Sequence, residues 1–326
     1  MRAVVLHRFG AADELRLEST PDATERTGWV VVQVRASALN WHDVLVRQGV
    51  YRSPLPHVPG ADGAGVRRDT GEPVVVLPSL HWGTDQAAPS AGFQILGDVE
   101  RGTYAELVAV PAECAVPKPP GLSWAQAAAL PLVGVTTFRA LFTRGRLAAG
   151  ESLLVLGASG GVATSAVTLA AAAGARVVVT SSSPDKVDRA KALGAADGVL
   201  HTEHDWVDAA RRCTPGNAGF DLVLDPVGRW NEAVRALRRG GRLVVLGASV
   251  NDTARMDVRS FYFGQYDLLG TTMGSPADFA GLLSFMAETN APPPVIDRTF
   301  PLDAAADAHR HLESGAGFGK VVLDHV

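Results

Sequence analysis

The sequence predicts an α/β protein of two domains: a compact, β-rich, barrel-like domain followed by a doubly wound parallel sheet covered by helices. Three observations carry this prediction. The chain of 326 residues is too long for one ordinary domain and suits two. Its first third is built of short valine-rich runs (VVLHRF, VVVQV, PVVVLP, AELVAV) separated by Gly and Pro, the texture of a small antiparallel barrel. From residue 152 apolar runs alternate with helix-forming segments, which gives buried parallel strands joined by helices.

The elements follow in order. Pro119, Pro120 and Gly121 interrupt the chain, and Ser123 is placed to cap a helix through WAQAAAL. SLLVLG reads as a strand, GGVATSAVTLAAAAG as a small-residue helix and ARVVVT as a second strand. Next come SPDKVDRAKALG (helix), DGVL and FDLVLD (strands), RWNEAVRALRRG (helix), then GRLVVLG and DLLGTTM (strands). The last fifty residues hold one further helix, AAADAHRHLES, and a final strand, GKVVLDHV. The expected division is residues 1–120, residues 121–274, and a tail, 275–326, that returns to the first domain.

Composition narrows the function. A net charge of -4, with 20% charged residues, gives no reason to expect nucleic acid or a membrane surface as partner. The start, MRAVVLHRFG, lacks the apolar stretch of a signal peptide, and Cys114 and Cys213 are far apart; a reducing cytoplasm is the expected setting.

SLLVLGASGGVATSAV is the sharpest local signal. A strand ends at Gly157 and a helix begins near Gly161, with only tiny residues between. Such a turn lets a pyrophosphate approach the backbone, and the helix N-terminus offers it free N–H groups. In the GxGxxG register the positions are Ala158, Gly160 and Ala163, two of the three glycines being alanine; the strand–turn–helix setting supplies the specificity that the motif lacks. At the tip of the second strand stand Ser181, Ser182 and Ser183, followed by Lys186, where NAD sites usually carry Asp or Glu. Hydroxyls and an ammonium suit a 2′-phosphate, so NADP(H) is the expected cofactor.

The ordered set of ALNWHDVLVRQG, PHVPGADGAGV, GTYAELVAVP, AAALPLVGVTTFRAL, LVLGASGGVATSAV, AKALGA, FDLVLDPVG, LRRGGRLVVLGAS, LLGTTMGS and FGKVVL resembles the medium-chain dehydrogenase/reductase superfamily, in particular its quinone-oxidoreductase-like, zinc-dehydrogenase-like branch. The resemblance spans nearly the whole chain. It implies a GroES-like barrel catalytic domain, a Rossmann NADP-binding domain, an active site in the cleft between them and a homodimer joined at the Rossmann sheet edge through DLLGTTM.

The resemblance also locates the family's zinc positions, and here they hold Asn40, Ala61 and Val133, none suited to zinc. The loop that elsewhere carries four cysteines contains none. Zinc assists alcohol oxidation by acidifying a bound oxygen. Hydride addition to a quinone or an α,β-unsaturated carbonyl needs less, because conjugation carries the developing charge onto an oxygen that hydrogen bonds can stabilise. Reduction of such an acceptor by NADPH is therefore expected.

The expected cofactor residues are Ala158, Gly160, Gly161 and Val162 at the pyrophosphate, and Ser181, Ser182 and Lys186 at the 2′-phosphate. The resemblance adds Thr136, Gly247, Ala248, Ser249, Thr271, Thr272 and Met273 along the cofactor, and Lys320 reaching the pyrophosphate. The expected catalytic residues are Asn40, able to donate to a carbonyl, Asp43, whose family counterpart holds the loop, and Tyr51, whose phenol can donate a proton. Trp41 and Trp82 are candidates to shape the pocket or to fill core. A short-chain reductase is set aside because none of the tyrosines has Lys four residues on. A zinc-type alcohol dehydrogenase and a non-catalytic NADPH-binding sensor stand as the alternatives.

Overall fold

The computed structural model describes residues 1–325, and the chain divides into two compact units. Unit 1 comprises Met1–Val135, Ser275–Ala280 and Pro293–Val326; unit 2 comprises Thr136–Gly274 and Gly281–Pro292. The boundary thus falls at residue 135, after the helix Trp124–Ala129, and not at 120.

Unit 1 is organised on the strand Trp29–Ala38, buried along most of its length. One edge of it pairs with Asp62–Arg67. The other edge pairs first with Leu107–Pro111, over Trp29–Gln33, and then with the C-terminal strand Lys320–Asp324, over Ala36–Ala38. A register shift between Val34 and Ala36 bends the strand where it changes partner. At this bend a side chain on Gly65 would lie 2.0 Å from the Gln33 carbonyl oxygen, so only glycine lets the backbones approach. Pro73–Val76, Ala115–Pro117 and Ile296–Pro301 complete the sheet. The tail therefore contributes two strands and the helix Ala305–Glu313 to unit 1. Val4, Leu6, Leu39, Tyr104, Leu302 and Leu323 lie in one buried cluster.

In unit 2 the parallel strands run in the spatial order Asp197–Leu200, Arg176–Ser181, Ser152–Val155, Phe220–Asp225, Leu237–Val245, Asp267–Gly270. The chain leaves Ser152–Val155 in one direction and returns on its other side at Phe220–Asp225, so the carboxyl ends of these two strands flank the switch point. The helix Gly161–Ala172 is apolar nearly all round and largely buried, as its small residues require for close packing.

Some elements differ from the sequence expectation. Of RWNEAVRALRRG only Trp230–Ala236 is helical; Leu237 already pairs with Phe220, and a bulge absorbs the residues before Arg242 joins Leu222. The last strand ends at Gly270, leaving Thr271, Thr272 and Met273 in the following loop. The helices Trp206–Arg212, Val258–Gly264 and Pro276–Thr289 went unassigned in the sequence; the last is apolar on most faces and shows no helical stripe to read. Among the described residues no helix is long and apolar enough to cross a membrane.

Candidate functional site

The glycine turn of unit 2 has the form its sequence requires. Gly157 adopts a left-handed φ of 118° after the strand Ser152–Val155, and its N–H donates to Thr180 Oγ1 at 3.0 Å. Gly160 caps the helix that starts at Gly161, and nothing lies within 4 Å of where a side chain on Gly160 would begin. Ala158 is buried beneath the turn, while Gly160 is exposed and Gly161 and Val162 are partly so. The backbone N–H groups of the first helical turn thus border open space, the cradle that a pyrophosphate needs. Beside it, Ser181 is buried and its Oγ accepts from Ser183 N at 3.1 Å; Ser182 is exposed, Lys186 half-buried, and Asp185 sits in the first turn of the helix Pro184–Ala192.

The remaining expected cofactor residues of unit 2 fall in two places. Gly247 packs against Pro226, whose carbonyl oxygen would be 2.1 Å from any added side chain, and Ala248 and Ser249 continue exposed from it. Thr136 Oγ1 reaches Met273 Sδ at 3.8 Å; Thr271 Oγ1 is buried without a partner and Thr272 is exposed. Asp225, not singled out in the sequence, ends the strand before the switch point. Burial pushes its carboxyl up; Oδ1 accepts from Val227 and Gly228, and Oδ2 is sealed without a partner.

Unit 1 holds a buried polar cluster. Lys320 Nζ donates to Asn40 Oδ1 at 2.5 Å and to Asp62 Oδ2 at 3.0 Å, and Asn40 Nδ2 donates to the same Asp62 oxygen at 2.9 Å. The other Asp62 oxygen accepts from Leu132 N at 2.8 Å. Asp62 has no exposed surface, and its carboxyl oxygens are compensated by an ammonium and two amides.

This network corrects two sequence expectations. An ammonium can only donate and a carboxylate can only accept, so the Asn40 amide is oriented with its oxygen to Lys320 and its nitrogen to Asp62. Its second amide hydrogen faces the Ala38 carbonyl at 3.4 Å. Asn40 therefore has no donor left for a substrate carbonyl. Lys320, expected at the pyrophosphate, is committed to Asn40 and Asp62 instead.

The Asp43 carboxylate is taken up within unit 1. Buried, it accepts from Asn40 N at 2.8 Å, Ala61 N at 3.1 Å and the Tyr104 hydroxyl at 3.3 Å. It closes the start of the helix Trp41–Gln48 against the loop that carries Ala61. Burial drives its pKa up to about 6 against the favourable charge of His42 and the hydrogen bond from Asn40. Tyr104 also faces His309, whose pKa burial lowers to about 3. Tyr51 is different: 41% exposed, it packs its ring on His42 and makes no hydrogen bond among the described residues. Trp82 is core, with its indole N–H on the Asp85 carbonyl, and Trp41 is exposed.

Residues 26–120 match the family described as alcohol dehydrogenase GroES-like domain, and residues 161–288 the family described as zinc-binding dehydrogenase. The chain is 32% identical over 330 residues to an NADPH-dependent alkenal/one oxidoreductase of Arabidopsis thaliana, covering 99% of this chain and 79% of the relative. It is 30% identical over 336 residues to a quinone oxidoreductase of Mus musculus, covering 99% and 97%. The chain belongs to the medium-chain dehydrogenase/reductase superfamily. A solved structure described as an NAD-dependent alcohol dehydrogenase superposes on this superfamily member with a TM-score of 0.94 at 37% identity, covering 100% of each chain. The chain is thus an oxidoreductase with the superfamily's GroES-like and parallel-sheet domains.

The family description raises the question of zinc, and the donor set does not fit it. Asn40 is hydrogen-bonded through both ends of its amide, and Ala61 and Val133 offer no ligand atom. Among the described residues no group of three or more His, Cys, Asp or Glu is placed to hold a metal ion. The charge beside Asn40 is supplied by the Lys320 ammonium.

Proposed function

We propose that this superfamily member reduces a quinone or an α,β-unsaturated carbonyl with NADPH, without a metal ion. One observation carries the reading: the position where a zinc ligand would stand is Asn40, locked into a neutral–ionic network with Lys320 and Asp62. With no Lewis acid to acidify an alcohol, the favoured chemistry is addition to an acceptor that delocalises its own developing charge.

NADP(H) fits the residues of unit 2. The open turn at Gly160 and Gly161, with Ala158 and Val162, would hold the pyrophosphate; Ser181, Ser182 and Lys186 would hold the 2′-phosphate. Thr136, Gly247, Ala248, Ser249, Thr271, Thr272 and Met273 would line the remainder. Bound there, the cofactor supplies hydride. In unit 1, Asp43 fixes the start of the helix Trp41–Gln48, and Tyr51, three residues past the end of that helix, offers an exposed phenol as a hydrogen-bond donor to the acceptor.

The homodimer expected from the resemblance would use the strand Asp267–Gly270, which among the described residues is an edge strand of the unit 2 sheet. Val258, Tyr262 and Phe263 on the preceding helix are exposed, and burying such a patch favours association. Sedimentation as a monomer would refute it. The catalytic reading is tested by NADPH oxidation with 9,10-phenanthrenequinone, 1,4-benzoquinone and simple enones as acceptors. Turnover independent of chelator is expected. Tight NADPH binding with no turnover of any acceptor would make the protein a sensor instead.

A further inference from the structure

The reduction needs a proton as well as a hydride, and Asn40, Asp43 and Lys320 are all committed to partners within unit 1. His42 is built otherwise. It is the second residue of the helix Trp41–Gln48, and its Nε2 lies 2.5 Å from Asp98 Oδ1. The carboxylate accepts, so Nε2 carries a hydrogen. The Tyr51 ring packs on the imidazole with centroids 4.6 Å apart at 44°. The side chains of His42 and Asp98 are only 11% and 19% exposed, so both are held in place. The second ring nitrogen, Nδ1, has no partner among the described residues. It is also absent from the polar atoms sealed away unpartnered, which include His309 Nδ1 and His325 Nδ1. Nδ1 therefore reaches solvent, on a ring anchored through its other nitrogen.

The charges around the ring favour its cationic form. Burial opposes the charge most strongly, but the hydrogen bond and charge of Asp98, aided by Asp43 on the same helix, outweigh it and raise the His42 pKa. Tyr51 faces it with a phenol whose own pKa is raised by burial. Asp98 also bears on His57, which faces the opposing charge of Arg101 as well. His57, His309 and His325, none of them hydrogen-bonded to a carboxylate, are all shifted toward the neutral form by burial.

We propose that His42 is the general acid of the reduction, delivering its Nδ1 proton to the substrate while Asp98 holds the ring and Tyr51 covers one face of it. The inference rests on the reductase reading above. With an enone, hydride from the reduced dinucleotide bonds to the β-carbon and the C=C pair moves toward the carbonyl oxygen as an enolate. The Nδ1–H bond then breaks, its electron pair stays on the ring, and the proton bonds to the α-carbon. Neutral imidazole remains on Asp98 and takes a new proton from water at Nδ1. With a quinone the proton goes to an oxygen, which water serves readily, so the acid matters less there.

Two measurements test this on the full-length protein with NADPH bound. In ¹H–¹⁵N spectra of the imidazoles, the His42 resonance is expected to titrate above an ordinary histidine in the wild type and to move down in Asp98→Asn. In turnover, His42→Gln is expected to lower kcat for an enone by about 100-fold, within the range for loss of a general acid. The ratio of enone to quinone kcat should fall by at least about 30-fold, and the limb of the enone pH profile that follows His42 should vanish. Asp98→Asn should shift that limb to lower pH. Wild-type turnover of both acceptors with the ratio and pH profile unchanged in His42→Gln would overturn the role of His42 and leave the reductase reading standing. A wild type that turns over neither acceptor would overturn both. A His42 resonance that titrates below an ordinary histidine would overturn the proposal even if the variants fold poorly.

Discussion

The two units differ in how many charges they bury and pair. Unit 2 packs its parallel sheet with apolar residues, seals one Asp225 carboxyl oxygen without a partner, and leaves backbone N–H groups and hydroxyls accessible around Gly160, Ser182 and Ser249. Unit 1 buries a linked set of charges: Asp62, Lys320 and Asp43 are each buried and matched by partners, and buried Arg47 pairs with Glu313 through both terminal nitrogens. A backbone site needs small residues and a correct turn, and tolerates change elsewhere. A buried ionic site fails as a whole when one member is removed, because the partner's charge is left without compensation.

The largest expected effect follows from that asymmetry. Lys320→Met leaves Asp62 charged with only amide donors, and should destabilise unit 1 by about 3–5 kcal/mol in urea unfolding. Adding Asp62→Asn to Lys320→Met should recover much of this loss. A cost below about 1 kcal/mol for the single variant would show that the cluster is solvated and that the contrast between the units is false.

Acid should act next, on the buried groups of unit 1. Burial lowers the pKa of His309 to about 3 and that of His325 to about 4, so the folded state keeps both neutral while the unfolded chain protonates them near 6.5. Their stability contribution is full above about pH 6.5 and declines as pH falls below it, by about 1.4 kcal/mol per pH unit for each group. Asp43 acts in the opposite sense. Its carboxyl is raised to about 6, so its contribution is full below the ordinary carboxylate value and is lost as pH rises through about 6. His309→Gln should therefore flatten the loss of stability between pH 6.5 and 4, and Asp43→Asn should steepen it between 6 and 4. Urea midpoints across this range are the measurement; an unchanged slope in His309→Gln would count against the buried neutral imidazole.

The smaller effects belong to unit 2. Ser181→Asp places a carboxylate where a 2′-phosphate would lie. It should weaken NADPH binding by tenfold or more, about 1.4 kcal/mol, and weaken NADH binding much less. Equal losses for the two cofactors would remove the phosphate from this strand end. Tyr51→Phe, which deletes an exposed hydroxyl, is expected to change KM for the acceptor only a few-fold, in line with the loss of one hydrogen bond of about 1 kcal/mol.

The same contrast explains what could be read in the sequence. The turn at Gly157–Gly161 and the helix cap at Ser123 are local, their parts lying within a few residues of one another, and both formed as read; the reciprocal bond that Ser123 N donates to the Gln126 side chain was not foreseen. The strand Leu237–Val245 was partly missed because its bulge hides the register behind RRGG. In unit 1 the position of Asn40 was recognisable from the resemblance, but its partner Lys320 is 280 residues away and Asp62 is 258 from Lys320. No local pattern reveals that these three meet. The Asn40 amide was therefore read as a substrate donor when Lys320 and Asp62 had already fixed its orientation. His42 and Asp98, 56 residues apart, escaped for the same reason.

The most direct single measurement is the rate of NADPH oxidation by the purified protein with an enone and a quinone, after dialysis against chelator and with bound metal quantified. Turnover of at least one of these acceptors, preserved without stoichiometric metal, is the predicted result. Activity that disappears with the chelator and returns with one zinc per chain would contradict it.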